Sequence, residues 1–219
     1  QKVILVAILI SVPMFLGFQQ LEVGFDTREN FDESVPVVQD FFLIADEFQS
    51  SPSPLYAVVE GNVISQDGRE LYDSTISELL QNSRTAGLPV GIWGILAESR
   101  GTNSELDSLM NDLGDDESTW FALETWLLSE AGRNISSGNL NSDASQTVIS
   151  FQAATLNWQA TVDFESDLSK NLTDLAKESD GEFTVQLSGR SLIVAQVTAD
   201  VADSAVVSTG TVAAVILLM

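Results

Sequence analysis

Two apolar runs frame this chain and constrain most of what it can become. Val3 to Phe18 carries no charge, and neither does Ala205 to Met219. A helix that crosses the roughly 30 Å hydrocarbon layer needs about 20 mostly apolar residues. Both runs fall somewhat short of that. The first follows Gln1 and Lys2 rather than an initiator Met, and the second is still apolar at Met219. The expectation is a piece of a longer chain, with residues 1–20 and the end of 189–219 as two truncated transmembrane helices. Two other origins stay open. A secretory signal peptide also opens on a positive residue and an apolar stretch, but it ends in small residues at a cleavage site. Met14-Phe15-Leu16-Gly17-Phe18-Gln19-Gln20 offers no such site. A buried core helix accounts for either apolar end alone, and less readily for a pair around a polar middle.

That middle is strongly acidic. The 219 residues hold 32 Asp and Glu against 9 Lys and Arg, a formal net charge of −23, and every acidic residue falls between Glu22 and Asp203. Nucleic acid is excluded as an expected partner, because phosphate binding needs clustered Lys and Arg. Basic residues beside a membrane span favour the cytoplasmic side, so Lys2 places the acidic body outside the cytoplasm. An acidic surface also keeps a protein soluble in a salty medium. The chain has neither histidine nor cysteine. Disulfides, thiol nucleophiles, the Ser-His-Asp triad and ordinary zinc sites are therefore excluded.

Periodicity divides the body. Residues 21–54 form an acidic connector leading to a helix with Val37, Phe41, Ile44, Ala45 and Phe48 at helical spacing, broken by the Ser- and Pro-rich stretch Ser50–Pro54. Residues 55–97 read as a first β-α-β unit: a strand at Leu55–Ile64, a turn at Ser65-Gln66-Asp67-Gly68, a helix with Tyr72, Ile76, Leu79 and Leu80, and an extended segment or a loop entering a helix at Leu88–Leu96. Residues 98–144 read as a helical insertion. In it Thr102-Asn103-Ser104-Glu105 matches a capping box, Leu106, Leu109, Met110 and Leu113 follow, a second helix spans about 118–130, and 132–143 is a polar loop. Residues 145–188 repeat the first unit more cleanly. Ile149, Phe151 and Ala153 alternate with polar neighbours, Phe164, Leu168, Leu172 and Leu175 make a helix stripe, and Phe183, Val185 and Leu187 alternate again. In residues 189–219 Gly189 ends the strand, and a helix bearing Asp200 and Asp203 runs into the last apolar segment. Two β-α-β units in one body predict an α+β class: a ferredoxin-like split β-α-β domain, its antiparallel sheet covered by helices on one face.

This order of elements, with FDTRENFDESVPVVQDF at the front and VQLSGRSLIVAQVTADVADSAVV at the back, resembles the first extracytoplasmic loop of an RND-superfamily exporter of the MMPL-like or Patched-like kind, with flanking parts of its first two transmembrane helices. The resemblance covers nearly the whole chain without a single strong motif. It implies a porter-type domain of an ion-driven multi-pass exporter in the cell membrane, acting on a hydrophobic or lipid-like substrate. The partners it implies are the lipid bilayer and the rest of the same transporter chain, including a second homologous half. The family's coupling carboxylates lie in later membrane helices, so no such role transfers to a residue here.

Three groups of residues invite a site reading. Asp112, Asp115, Asp116 and Glu117 form the densest acidic cluster, and their oxygens suit Ca²⁺, but the ligand alternation and glycine of an EF-hand loop are missing. A solvated loop with a helix cap is the expected role there, and Asp26, Glu29, Asp32 and Glu33 are read the same way. Trp93, Trp120, Trp126 and Trp158, with Phe121, either line a hydrophobic substrate path or pack the core. Asn134-Ile135-Ser136 and Asn171-Leu172-Thr173 fit the glycosylation sequon. No catalytic residue, metal ligand or cofactor is assigned, and no enzymatic activity is expected. The rival to export is a ligand-sensing extracytoplasmic domain of a two-span membrane receptor; a secreted hydrolase lacks its histidine, cysteine or carboxylate motif.

Overall fold

The computed structural model describes residues 34–36, 38–40, 43, 54–114, 116–153, 158–179 and 183–218. The first apolar run and the apolar stripe of the connector helix lie outside these residues, although Pro36, Val38, Gln39, Asp40 and Leu43 are helical.

The class is α+β. Four strands, β1 (Leu55–Glu60), β2 (Thr85–Val90), β3 (Gln146–Ala153) and β4 (Thr184–Ser188), form one sheet in the order β2-β3-β1-β4. Every pairing is antiparallel. Each β-α-β unit is therefore split by a strand of the other: β3 lies between β1 and β2, and β1 between β3 and β4. The register explains the alternation in the sequence. Ala57 pairs with Ile149 and Leu187, and Val59 with Thr147 and Val185. Leu55, Ala57, Val59, Ile149, Phe151 and Ala153 are buried on one face, while Tyr56, Val58, Val148 and Ser150 are half-buried on the other.

Helix α1 (Gln66–Gln81) joins β1 to β2, and α6 (Trp158–Glu178) stands between β3 and β4. They cover the buried face together, packing against each other, with α1 against β2 and α6 against β4. Phe164 of α6 meets Phe151 of β3 with ring centroids 6.4 Å apart. Leu168 and Leu172 follow at one-turn spacing and are fully buried. Between β2 and β3 lie α2 (Ile92–Ser99), α3 (Ser104–Asn111), α4 (Glu117–Leu128) and α5 (Glu130–Ser136). Helix α4 packs on α3 and α5, and α5 in turn on α2. Leu96, Leu106, Leu123 and Leu127 join this layer to the sheet's core as one continuous cluster. The last helix, α7 (Arg190–Leu218), follows Gly189 and packs its start against α6 and β1.

Four local expectations differ from the structure. The Ser65–Gly68 segment is no turn: Ser65 caps α1, its hydroxyl accepting from the Gly68 N–H at 3.0 Å. The second strand starts earlier, at Thr85, and stops at Val90, so the apolar Ile92–Leu96 is helical. Thr102 does not cap α3. Asn103 does, accepting from the Leu106 N–H, while the Thr102 hydroxyl donates to the Ser99 carbonyl. Finally, Gly132–Ser136 belongs to α5 rather than to a loop. There Ser129 is the cap, accepting from the Gly132 N–H.

Candidate functional site

The aromatic residues separate into buried and exposed. Trp93, Trp120 and Trp126 are buried. Trp120 meets Trp93 edge-on, centroids 5.9 Å apart, and its indole N–H donates to the Gly114 carbonyl at 2.7 Å. The Arg69 guanidinium lies 5.4 Å from the centre of the Trp93 ring, within cation–π range. These three tryptophans are thus core residues first. Phe121, next to Trp120 on α4, is instead 68% exposed. The side chain of Trp158 lies outside the described residues.

Phe121 stands between two clefts. The larger, about 1000 Å³, opens between the β1–α1 loop, the start of α1 and the first half of α4, with Phe183 entering from the chain before β4. Its apolar wall is Ile64, Trp120, Phe121 and Phe183, and its carboxylates are Asp67, Glu117 and Glu124. The second, about 550 Å³, lies on the other flank of Phe121 and is more apolar, with Leu109, Ala122, Trp126 and Ala131 in its wall. The volume of the first cleft is at the upper end of the range for small-molecule sites. Of the five aromatic residues grouped in the sequence, Trp120 and Phe121 line this cleft; Ile64, Asp67 and Phe183, which the topology brings in from separate segments, were not among them.

The acidic cluster around residue 116 works as helix punctuation. Asp116 is the N-cap of α4, accepting from the Ser118 N–H at 3.0 Å. Bonds from the Ser118 backbone and hydroxyl hold its carboxyl below the usual carboxylate range. Asp112 ends α3 and Glu117 begins α4, while Asp115 and the 26–33 group lie outside the described residues. Among the described residues no group of three acidic side chains is placed to hold a metal ion.

Both sequons lie within helices. Asn134 is exposed on α5, but Ser136 is buried and its hydroxyl donates to the Leu127 carbonyl. Asn171 on α6 donates its amide to Glu78 of α1 at 2.6 Å. No described helix is long and apolar enough to cross a membrane. No protein-family model and no curated protein sequence matches the chain.

Proposed function

We propose that this chain is the porter-like extracytoplasmic domain of an ion-driven exporter of the RND type, held at both ends by membrane helices and shaping the exit route of a hydrophobic or lipid-like substrate. The observation that carries the reading is α7. Its first turns are core, with Leu192 and Ala195 buried, yet Val197, Val201, Val207 and Val215 further along are about half to two-thirds exposed. One uninterrupted helix thus passes from a packed body into a stretch that exposes these four valines. Water is a poor solvent for such a face and hydrocarbon a good one. Two hydroxyls on that stretch bond back within the helix, Thr198 donating to the Val194 carbonyl and Thr211 to the Val207 carbonyl at 2.8 Å, which is compatible with a helix entering lipid.

The split β-α-β sheet with helices on one face supports a ferredoxin-like, porter-type fold, and the Phe121 clefts offer a concave apolar surface for substrate. A continuous α7 also suits the alternative, a sensor domain that passes a displacement through the bilayer. The gene downstream of this segment separates the two. Four or more further apolar spans and a second domain of the same element order support export, whereas a long polar cytoplasmic domain after α7 overturns it in favour of sensing.

A further inference from the structure

We infer that the larger cleft beside Phe121 selects ligands carrying a positive charge on an apolar body. The inference rests on the reading of this cleft as a substrate surface and adds the charge of what it takes. Helix α4 presents Glu117, Trp120, Phe121 and Glu124 at helical spacing, so two carboxylates flank two aromatic rings on one face. Asp67 of α1 adds a third carboxylate on the opposite wall. Among the described residues none of the three is in an ion pair: the two pairs present join Arg100 to Asp107 and Lys177 to Asp174. The cation nearest in sequence, Arg69, is taken up on the Trp93 ring. The starts of α1 and α4, which would otherwise favour an anion, already give the Gly68 and Ser118 N–H groups to Ser65 and Asp116.

An exposed aromatic face attracts an organic cation through its quadrupole, and carboxylates lining the same cleft without an ion-pair partner add Coulomb attraction. A neutral lipid gains from the ring but nothing from the carboxylates. An anion is repelled by all three.

The test uses the full 219-residue chain in nanodiscs of neutral phosphatidylcholine and two probes of one shape and opposite charge, tetraphenylphosphonium and tetraphenylborate, with the neutral dye N-phenylnaphthylamine as a third. Binding is the component absent from empty discs. The cation is expected to bind saturably and at least tenfold more tightly than the anion. Phe121→Ala and the pair Glu117→Gln with Glu124→Gln should each weaken it at least fivefold, while Glu178→Gln with Asp200→Asn leaves it unchanged. Glu117, Phe121, Glu178 and Asp200 are exposed and Glu124 is half-buried, and an unchanged urea midpoint for each variant establishes that it is folded. Equal affinity for cation and anion, or equal loss from the distant acidic pair, overturns the inference. If the neutral dye binds and Phe121→Ala weakens it while no charge preference exists, the inference fails and the apolar-substrate reading stands. If no probe responds to Phe121→Ala, both fail.

Discussion

Gly68 and Gly132 each sit three residues after an N-cap serine, Ser65 and Ser129, and each looks like a helix breaker in the sequence. The structure gives them another role. A Cβ on Gly68 would meet the Asn62 carbonyl oxygen at 2.5 Å, and one on Gly132 would meet the Trp126 carbonyl oxygen at 2.2 Å. The preceding chain therefore passes directly over the first turn of α1 and of α5, and only glycine leaves room. Alanine is the better helix former by about 1 kcal/mol, but backbone cannot move aside as a flexible side chain can. Gly68→Ala and Gly132→Ala are each expected to destabilise by about 1–3 kcal/mol in urea unfolding; a gain in stability would show that the close passage is wrong. Gly68 reads as part of a turn and Gly132 as the start of a loop because intrinsic propensity carries no sign of the tertiary approach that overrides it. Asp116 yields a pH prediction. Its carboxyl is held below the ordinary range in the folded state, so its contribution is complete above the unfolded carboxylate value near pH 4 and is lost as pH falls through the lower folded value. Asp116→Asn keeps a capping acceptor but removes the titration. The stability difference between variant and parent should therefore shrink as pH drops from about 6 to about 2; a difference that grows on acidification contradicts the assignment.

Elements with a clean period were legible, and those without one were not. β1, β3, β4 and α6 have alternation or three-and-four spacing set by a single buried face and lie where the pattern puts them, although β1 stops at Glu60 rather than at Ile64. Leu88–Leu96 is an unbroken apolar run in which strand and helix periods look alike, so the change from β2 to α2 at Gly91 stayed hidden. Helix α4 is apolar around most of its circumference, with Trp120, Phe121, Leu123, Trp126 and Leu127, and nothing in that pattern says Phe121 is the ring left outside. The cleft was thus half legible: its aromatic content was visible, its exposed member and its opposing wall were not. Helix α5 fixes the loop behind it through Arg133. The guanidinium donates to the carbonyls of Leu140 at 3.2 Å, Asn141 at 2.7 Å and Ser142 at 2.6 Å, drawing residues 137–142 back onto the helix before β3. Arg133→Ala is expected to cost about 2–3 kcal/mol in thermal or urea unfolding, the range for charged hydrogen bonds left unmade. Arg133→Lys should recover only part of it, because one ammonium cannot reach three carbonyls in a fork. Full rescue by lysine would mean charge alone matters.

The whole molecule carries a net charge of −23, and two ion pairs are present among the described residues, so self-repulsion opposes the compact state. Salt screens that repulsion, the Debye length shrinking from about 30 Å at about 0.01 M to about 3 Å at about 1 M. The unfolding midpoint should rise steadily over that range in sodium chloride, and a flat or falling midpoint would show that the acidic residues lie too far apart to interact. The same acidity is confined between two apolar end segments, which the membrane reading takes as spans together with α7. Because the chain has no cysteine, that reading can be tested with single introduced thiols. In sealed, outside-out vesicles an impermeant maleimide should label Ser137→Cys on the acidic body and leave Lys2→Cys and Met219→Cys unlabelled until the membrane is permeabilised. Labelling of one end from outside with the other protected, or of both ends with Ser137→Cys protected, would contradict an acidic domain held by both ends on the outer face of one bilayer.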